Sequence, residues 1–371
     1  LLNSLKLANI NVHAIAQGSS ERSVTFAVKE ADENRGVQAM HRHYNSVSND
    51  IAIAVIGAGK IGKAFIEQLQ VTQKNWLAKG TNLVLIAVTN SKLMKISYDN
   101  LLTKNVTKLL HNDTQNVDLK VLSEFMSHAT ANKKVMIDTT ASEFVSKNYL
   151  EFLDNGISLI TPNKYANAGD FSYYKAIRNS AAKNGVNMLY ETNVCAGLPL
   201  IVTLQNMMLS GDTVETIKGI FSGTLSYLFT QLNSNMIFSQ AVKMAFDAGY
   251  TELDPRQDLS GMDVARKTVI LAREIGLNIS IDDLTIENLV PAELQNCTVE
   301  EFFAELPRFD DEIMQNIADR KQLLAGVHYI GTIDNGIVSI GIQAYDESSP
   351  FASVKGTDNI VMINTQRYPQ P

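Results

Sequence analysis

The sequence predicts an α/β fold, in which a doubly wound parallel sheet is followed by a second domain of the α+β class. Three observations carry this prediction. Apolar runs of strand length alternate with helical segments between residues 51 and 190, which indicates a parallel sheet. The first of these strands enters a glycine-rich turn that opens a helix. Near the end of the chain, two alternating apolar runs flank Asn335-Gly336, which is a strong hairpin signal.

Length and composition bound the possible functions. The chain has 371 residues, 45% of them hydrophobic, so it can bury more than one core. A net charge of −7 argues against a nucleic-acid or an anionic-membrane partner, and no apolar run is long enough to span a membrane. Two cysteines, Cys195 and Cys297, are too few for a disulfide framework and predict a reducing cytoplasm.

The clearest nucleotide-binding signal is the first strand with its turn. The apolar residues 51–56 lead into Gly57-Ala-Gly59-Lys-Ile-Gly62, and residues 63–69 have helical spacing. Glycines in such a turn let the backbone approach a pyrophosphate, which lies at the helix N-terminus. A Rossmann-like dinucleotide-binding domain is therefore predicted for residues 51–190. Its predicted cofactor contacts are Gly57, Ala58, Gly59, Lys60, Ile61, Gly62, Thr89, Thr140, Lys164 and Gly249.

The end of the second strand bears on the choice of nucleotide. NAD-binding domains usually place a carboxylate there to bind the ribose hydroxyls, whereas this chain has Thr89-Asn90-Ser91-Lys92. Polar side chains and a lysine suit a 2′-phosphate. We therefore expect NADP, with NAD as the open alternative.

Two later strands also end in polar residues. Residues 134–138 run into Thr139 and Thr140, and residues 157–160 run into Thr161-Pro-Asn-Lys164. Ligands of parallel sheets bind at the carboxyl ends of the strands. Lys164 is therefore expected where the nicotinamide meets the reacting carbonyl.

Acidic and basic residues are concentrated between Gly249 and Lys267. A helix is predicted after Gly261, which puts Asp263 and Lys267 one turn apart on one face. Glu252 and Asp258 precede that helix and are expected to fold back toward the pair. Such a cluster suits an amino-acid substrate, with carboxylates for the ammonium and a lysine for proton transfer. The plain alternative is a solvated helix start, where acids are favoured by the helix dipole.

Several strings resemble the homoserine dehydrogenase family. The string Tyr250-Thr-Glu252-Leu-Asp-Pro-Arg-Gln-Asp258 and its continuation to Lys267 are similar to that family's substrate signature, with Leu253 where proline is usual. Thr161-Pro-Asn-Lys164 is similar to a second motif of the family. The resemblance implies Lys267, Lys164 and Asp263 as catalytic residues, and Glu252, Asp258 and Asp263 as substrate-binding residues.

The segment from Glu191 to Leu198 leads into the second domain. Its string, Glu191-Thr-Asn-Val194-Cys-Ala196-Gly-Leu198, resembles the family segment that binds a monovalent cation, usually sodium. The resemblance implies Glu191, Val194, Ala196 and Leu198 as ligands. A hinge before a helix is the alternative, and backbone ligands cannot be recognised from side chains.

The two ends of the chain extend the resemblance. Residues 15–22 resemble the last ACT repeat of aspartokinases, which implies a threonine effector site at Gln17, with a polar strand end as the alternative. We expect a fragment of a bifunctional aspartokinase/homoserine dehydrogenase that is truncated at both ends. The predicted segments are a partial ACT-like segment (1–31), a linker (32–50), the nucleotide domain (51–190), a substrate and dimerisation domain (191–345) and a C-terminal return toward the nucleotide domain (346–371).

The function implied by these resemblances is the reversible, NAD(P)H-dependent reduction of L-aspartate 4-semialdehyde to L-homoserine, in threonine and methionine biosynthesis. A homo-oligomer, at least a dimer through the second domain, is implied as well. Two alternatives stay open. One is a catalytically silent regulatory fragment, and the other is a different NAD(P)-dependent semialdehyde dehydrogenase. A thioester mechanism would require a catalytic cysteine with an adjacent base, which neither cysteine shows.

Overall fold

The computed structural model describes residues 2–18, 24–45, 49–103, 109–110, 113–322 and 324–370. The chain divides into two compact units, Leu1–Val135 and Met136–Pro371. Among the described residues, no helix combines the length and the apolar character that crossing a membrane requires.

The N-terminal segment forms a small helix and strand motif. Its elements are α1 (Leu2–Leu7), β1 (Ala14–Gln17), β2 (Val24–Ala27) and α2 (Glu33–Asn45). The strands pair antiparallel, from Ala14 opposite Ala27 to Gln17 opposite Val24. Leu5 and Ile10 are buried and lie beside Gly36 of α2. The segment predicted as a linker from residue 32 thus contains helix α2, while residues 19–22 of the effector-like string lie outside the described residues.

The rest of the first unit contains the glycine turn. Its elements are β3 (Asn49–Ile56), α3 (Lys60–Ala78), β4 (Thr81–Thr89), β5 (Leu93–Ile96), β6 (Gln115–Asn116) and α4 (Leu119–Ser127), and β7 (Lys133–Asp138) follows at the unit boundary. Strands β3 and β4 are parallel, as predicted. Strands β5 and β6 were not foreseen, and both pair antiparallel. An entirely parallel sheet was therefore wrong at this edge, because Asn90 turns the chain straight back after β4.

The second unit begins with helices and short strands. They are α5 (Glu143–Lys147), α6 (Tyr149–Asp154), β8 (Ser158–Ile160), α7 (Tyr165–Ala168), α8 (Phe171–Asn184) and β9 (Met188–Leu189). Helices α5 and α6 are separate, since Asn148 leaves the helical conformation and the Tyr149 N–H donates to the Tyr173 hydroxyl. Strand β9 has two residues and helix α8 has 14.

The remaining elements build a five-stranded sheet covered by helices. They are α9 (Ile201–Leu209), β10 (Val214–Ile220), α10 (Gly223–Asn233), α11 (Phe238–Asp247), α12 (Arg256–Leu259), α13 (Met262–Glu274), β11 (Thr285–Ile286), α14 (Val299–Glu305), α15 (Asp310–Lys321), β12 (Gly326–Asp334), β13 (Ile337–Tyr345) and β14 (Ile360–Thr365). The strand order is β11-β13-β12-β10-β14. Residues 360–365, part of the predicted return segment, thus form an edge strand beside β10.

The predicted hairpin is confirmed. Asn335 and Gly336 both have positive φ, 47° and 85°, as the tight turn between β12 and β13 requires. Two short elements were not foreseen. Helix α12 lies before Gly261, and strand β11 lies between α13 and α14. Short elements give little periodicity in the sequence.

Helix α13 lies at the centre of the second unit's core. Eight of its residues are buried, from Val264 to Arg273. Gly261 precedes its first residue with a φ of 72°, and a Cβ at Gly261 would clash with the Tyr329 hydroxyl. Only glycine accepts this conformation at such close approach. The start of α13 is therefore set by packing against β12.

Candidate functional site

The pair predicted on α13 forms as expected. The Lys267 ammonium lies 2.6 Å from the Asp263 carboxylate, one helical turn away. The same ammonium donates to the Phe221 carbonyl, at 2.6 Å. Only 15% of the Lys267 side chain is exposed, compared with 43% for Asp263. Two of the three ammonium donors are thus directed by the protein, which fixes the orientation of the side chain.

Lys164 reaches the same carboxylate from a different part of the chain. Its ammonium lies 3.3 Å from Asp263, and its side chain is 29% exposed. Asp263 is therefore shared by two lysines. Burial opposes ionisation of Asp263, but the charges of Lys267 and Lys164 and their hydrogen bonds outweigh it, so the pKa of the carboxyl is lowered. Asp263 therefore stays ionised at neutral pH.

A buried polar network holds the turn that carries Lys164. Asp138, which is fully buried, accepts hydrogen bonds from the Tyr149 hydroxyl at 2.6 Å and from the Asn163 amide at 3.0 Å. The Thr161 hydroxyl accepts from the Asn163 N–H and lies 2.9 Å from the Tyr149 hydroxyl. Burial raises the pKa of Asp138, although these hydrogen bonds work against it. Lys164 therefore projects from a fixed turn.

This network was missed at the sequence level. An aspartate at the end of a strand, followed by two threonines, was a visible signal for Asp138. Thr140, predicted to contact the cofactor, donates its N–H to Asp138, and its hydroxyl accepts from Ser142. Its backbone is thereby fixed at the end of β7.

The backbone of Glu252 contacts the side chain of Asp258. An Asp258 carboxylate oxygen accepts the Glu252 N–H at 2.9 Å. Burial raises the pKa of Asp258, the neighbouring carboxylates of Glu252 and Asp263 add to this, and hydrogen bonds from Glu252 and Thr224 oppose it. The carboxylates of Glu252 and Asp263 thus both act on Asp258. Thr224, which also donates to the Tyr250 carbonyl, was not foreseen.

The other acid–base pair of this stretch has a different role. The Arg256 guanidinium binds both carboxylate oxygens of Asp254, at 2.7 and 2.9 Å. It also donates to the carbonyls of Leu294 and Cys297. This pair fastens the loop to the segment before α14.

The glycine turn in the first unit has the features of an anion-binding helix start. Gly57 has a φ of 100°, and the N–H groups of Gly57 and Ala58 donate to the Thr89 carbonyl at 3.0 and 2.7 Å. Gly59 precedes α3 without a side-chain cap, and the first helical bond there runs from Lys63 to Gly59. The N–H groups of residues 60–62 therefore have no acceptor within the helix.

These features fit a dinucleotide pyrophosphate. A Cβ at Gly59 would meet nothing within 4 Å, so there is open space beside the turn. Thr89 is fully buried, and among the described residues its hydroxyl has no hydrogen-bond partner. Gly249 ends α11 with a φ of 72°, and its N–H donates to Phe246.

The predicted cation segment is held by a helix cap. The two carboxylate oxygens of Glu191 accept the N–H groups of Ile201 and Val202, at 2.8 and 2.9 Å. Val194 is buried, whereas Ala196 and Leu198 are exposed. The Leu198 carbonyl accepts from Leu200. Each of these oxygens retains a lone pair, so the cap and a cation are compatible.

Two residues of this segment have left-handed backbone. Cys195 and Ala196 have φ angles of 57° and 47°, which is uncommon for residues other than glycine. Burial raises the pKa of the Cys195 thiol to about 11, with Lys267 acting in the opposite direction. Within the described ranges, no cluster of three His, Cys, Asp or Glu residues could hold a metal ion.

Gln17, the predicted effector residue, ends β1. It is exposed and lies opposite Val24 in the strand pair.

Comparisons with known families match nearly the whole chain. A homoserine dehydrogenase model matches residues 199–370, and a model described as the NAD-binding domain of homoserine dehydrogenase matches residues 57–191. An ACT domain model matches residues 1–44. The predicted Rossmann-like domain and partial ACT-like segment are thereby confirmed.

Individual relatives agree with these matches. A chloroplastic bifunctional aspartokinase/homoserine dehydrogenase 2 of Zea mays is 38% identical over 99% of this chain, which spans 41% of that protein. The chain thus spans less than half the length of this curated relative. A crystal structure of a Candida auris protein of unknown function is 36% identical, with a TM-score of 0.79, over 87% of this chain and 92% of that one.

A hyperthermophilic archaeal homoserine dehydrogenase, solved in complex with NADPH, has the same fold. Its TM-score is 0.63 at 20% identity, over 85% of this chain and 88% of that one.

Proposed function

The chain belongs to the homoserine dehydrogenase family, and we propose that it catalyses the reversible NAD(P)H-dependent reduction of L-aspartate 4-semialdehyde to L-homoserine. The observation that carries this proposal is the pairing of Lys164 and Lys267 with one carboxylate, Asp263. Two cations held beside a partly exposed acid suit a carbonyl oxygen that gains negative charge.

The proposed chemistry assigns a task to each member of the cluster. The nicotinamide, when bound, supplies the hydride for the aldehyde carbon. Lys267 donates a proton from its Nζ to the carbonyl oxygen as the alcohol forms. Asp263 and the Phe221 carbonyl orient that ammonium, and Lys164 polarises the carbonyl. Proton transfer from a positioned side chain contributes about 10²- to 10⁴-fold to a rate.

Glu252 and Asp258 are proposed to bind the substrate ammonium. Asp258 is held by the Glu252 N–H, and carboxylates bind ammonium groups through charge-assisted hydrogen bonds. Burial raises the pKa of Asp258, and an ammonium bound next to it would lower that pKa again. Loss of either acid should mainly raise KM.

The cofactor is proposed to be NADP. Its pyrophosphate would bind the glycine turn, at Gly57, Ala58, Gly59, Lys60, Ile61 and Gly62. Thr89, Thr140, Lys164 and Gly249 are the other proposed cofactor contacts. The side chain of Asn90 accepts the N–H groups of Lys92 and Leu93, so it is occupied in shaping the turn. The exposed Lys92 supports recognition of a 2′-phosphate. Lys92→Ala should weaken NADPH binding and leave NADH binding unchanged in a fluorescence titration, and equal effects would contradict this proposal.

Four finer assignments accompany the main proposal. A sodium ion bound by Glu191, Val194, Ala196 and Leu198 should make activity depend on sodium in a choline-based buffer, and Glu191→Gln should weaken that dependence.

Threonine is the proposed effector at Gln17. A dimer through the second domain and a cytoplasmic location remain predictions.

Oxidation of an aldehyde through a thioester is disfavoured as the alternative reaction. That mechanism requires a thiolate. Cys195 is buried and its pKa is raised to about 11, so at neutral pH it stays protonated.

The test is the loss of NADPH or NADH absorbance on addition of aspartate semialdehyde. Lys267→Met should abolish nearly all turnover. The matched control is Lys243→Met, which removes an exposed lysine that also pairs with an aspartate one turn away, Asp247. The proposal would be wrong if turnover were equal in the two variants, or if the unaltered protein showed none.

A further inference from the structure

We propose that Arg273 is a positioning residue for this reaction, whose guanidinium fixes the turn that begins at Lys164 and thereby holds the Lys164 ammonium beside Asp263. The inference rests on the proposed function, because it assumes that Lys164 polarises the substrate carbonyl. Arg273 acts through the backbone of α7 rather than on the substrate.

The guanidinium is buried and bound to main-chain oxygens. Only 4% of Arg273 is exposed. Its Nε donates to the Ile279 carbonyl at 2.9 Å, Nη1 to Asn167 at 2.8 Å and Nη2 to Gly169 at 2.7 Å. Burying a cation is costly, and an apolar side chain of similar size would fill the core at a lower cost. A charge retained here suggests that its contacts with residues 167–169 matter.

The carbonyls of Asn167 and Gly169 belong to the end of the turn that starts at Lys164. The N–H of Ala168 donates to the Lys164 carbonyl at 2.8 Å, and the N–H of Gly169 donates to Tyr165 at 2.8 Å. The four residues of α7 therefore form one closed helical turn. Because a closed turn moves as a unit, holding its carbonyl end also holds Lys164 at its start.

The contacts between α7 and α13 follow the same order along both helices. Lys164 meets Asp263, the ring of Tyr165 lies 5.0 Å from the Arg266 guanidinium, and the carbonyls of Asn167 and Gly169 meet Arg273. The first contact belongs to the proposed chemistry. The last is the most buried of the three, so it is the one best suited to fix the register between the helices.

A double-mutant cycle tests whether Arg273 acts through Lys164. Arg273→Lys keeps the charge but cannot reach three carbonyls in a planar fork. It should lower kcat about ten- to a hundredfold, as misplacement of a reacting group does, with less than a twofold change in KM. In a Lys164→Ala background the same substitution should change kcat by less than about twofold. An equal factor in both backgrounds would show a general structural effect and overturn the proposal.

Hydrogen exchange provides a readout that does not depend on turnover. Arg273→Lys should speed exchange at the N–H groups of Asn167, Ala168 and Gly169, and leave those of the β12 and β13 pair unchanged. Unchanged exchange at residues 167–169 would overturn the positioning role even if kcat falls. If the protein shows no semialdehyde reduction, the proposed function fails and the exchange result still decides whether Arg273 holds this turn.

Two further variants guard against a folding artefact. Arg273→Met keeps an aliphatic stem without a buried charge and should give the same exchange pattern as Arg273→Lys. Arg320→Lys is the matched control, since this guanidinium binds Glu287 and the Ile342 carbonyl instead of the carbonyls of α7. It should lower Tm without changing kcat or exchange at residues 167–169. A comparable fall in kcat for Arg320→Lys would count against the proposal.

Discussion

Two acid–base pairs lie close together in the same stretch of chain, and their surroundings differ. Arg256 binds Asp254 through two hydrogen bonds and also binds the backbone before α14. Lys267 binds Asp263, which it shares with Lys164. In the sequence both pairs look alike. In the structure, Arg256 uses its remaining donors on backbone carbonyls of the protein. The Asp263 carboxylate instead stays partly exposed, and two of the three donors of the Lys267 ammonium have protein partners.

The difference teaches that donor geometry separates a fastening pair, Arg256 with Asp254, from the pair for which a reaction is proposed, Lys267 with Asp263. A guanidinium has five donors in a fixed plane and is always charged, so Arg256 can satisfy a carboxylate and two carbonyls at once. An ammonium has three donors and can release a proton. A lysine held by two partners therefore has one N–H bond left for a substrate oxygen.

The largest expected effect separates the two pairs by rate. Lys267→Met should lower kcat by about 10²- to 10⁴-fold, because it removes the proposed proton donor. Arg256→Gln should change kcat by less than about tenfold. Steady-state kinetics at saturating cofactor measures both. If Arg256→Gln costs as much as Lys267→Met, the distinction between the pairs is lost.

The next effect concerns the glycine that stands between the two pairs. Gly261→Ala should lower the free energy of unfolding by about 2–4 kcal/mol, since it adds a left-handed alanine and a clash with the Tyr329 hydroxyl. Denaturant titration measures this loss. Adding Tyr329→Phe should recover part of it by removing the clashing oxygen. No recovery would mean that backbone strain alone sets the cost.

A smaller effect concerns the contribution of the Arg256–Asp254 pair to the free energy of unfolding. Arg256→Gln should lower the free energy of unfolding by about 1.5–3 kcal/mol, because hydrogen bonds of a charged group are lost and Asp254 remains unpaired. Lys243→Met removes an exposed pair on α11 and should change Tm very little. Similar Tm values for the two variants would contradict a structural role for Arg256.

The smallest effect is a pH dependence of KM, which follows from the pKa values of two carboxyl groups in the proposed site. The pKa of Asp258 is raised by burial, and that of Asp263 is lowered because its two lysines outweigh burial. Asp258 must be ionised to bind an ammonium, so KM should rise severalfold as pH falls through its raised pKa, while the Asp263 pairs persist to lower pH. Asp258→Asn should give a KM that is high and nearly independent of pH.

The signs for stability are opposite for these two acids. Asp258 contributes stability below its unfolded pKa, and this is lost as pH rises through its raised folded pKa. Asp263 contributes stability above its unfolded pKa, and this is lost as pH falls through its lowered folded pKa. Tm measured against pH for Asp258→Asn and Asp263→Asn should therefore differ from the parent in opposite directions. If Tm shifted in the same direction in both variants, the pKa values of Asp258 and Asp263 would not be displaced in opposite directions.

Local patterns predicted much of the site. The glycine turn after β3 and the spacing of Asp263 and Lys267 both depend on residues that are neighbours in the chain, so their geometry follows from one strand, one turn or one helix. The break at Asn148 and the antiparallel strands β5 and β6 were not predictable in this way. Asn148 leaves the helix where Tyr149 meets Tyr173, and that contact depends on a helix further along the chain.

The sequence by itself determined the chemistry that this protein carries: the residue types at strand ends, the glycines at turns and the acids and lysines on α13. Only the tertiary structure decided which of these groups share a site. Lys164 meets Asp263 because a buried network fixes its turn and because α7 lies along α13. The same packing turns Arg256 toward backbone oxygens. Periodicity and propensity act over a few residues, whereas the surroundings of a charge are set by elements that are distant in sequence.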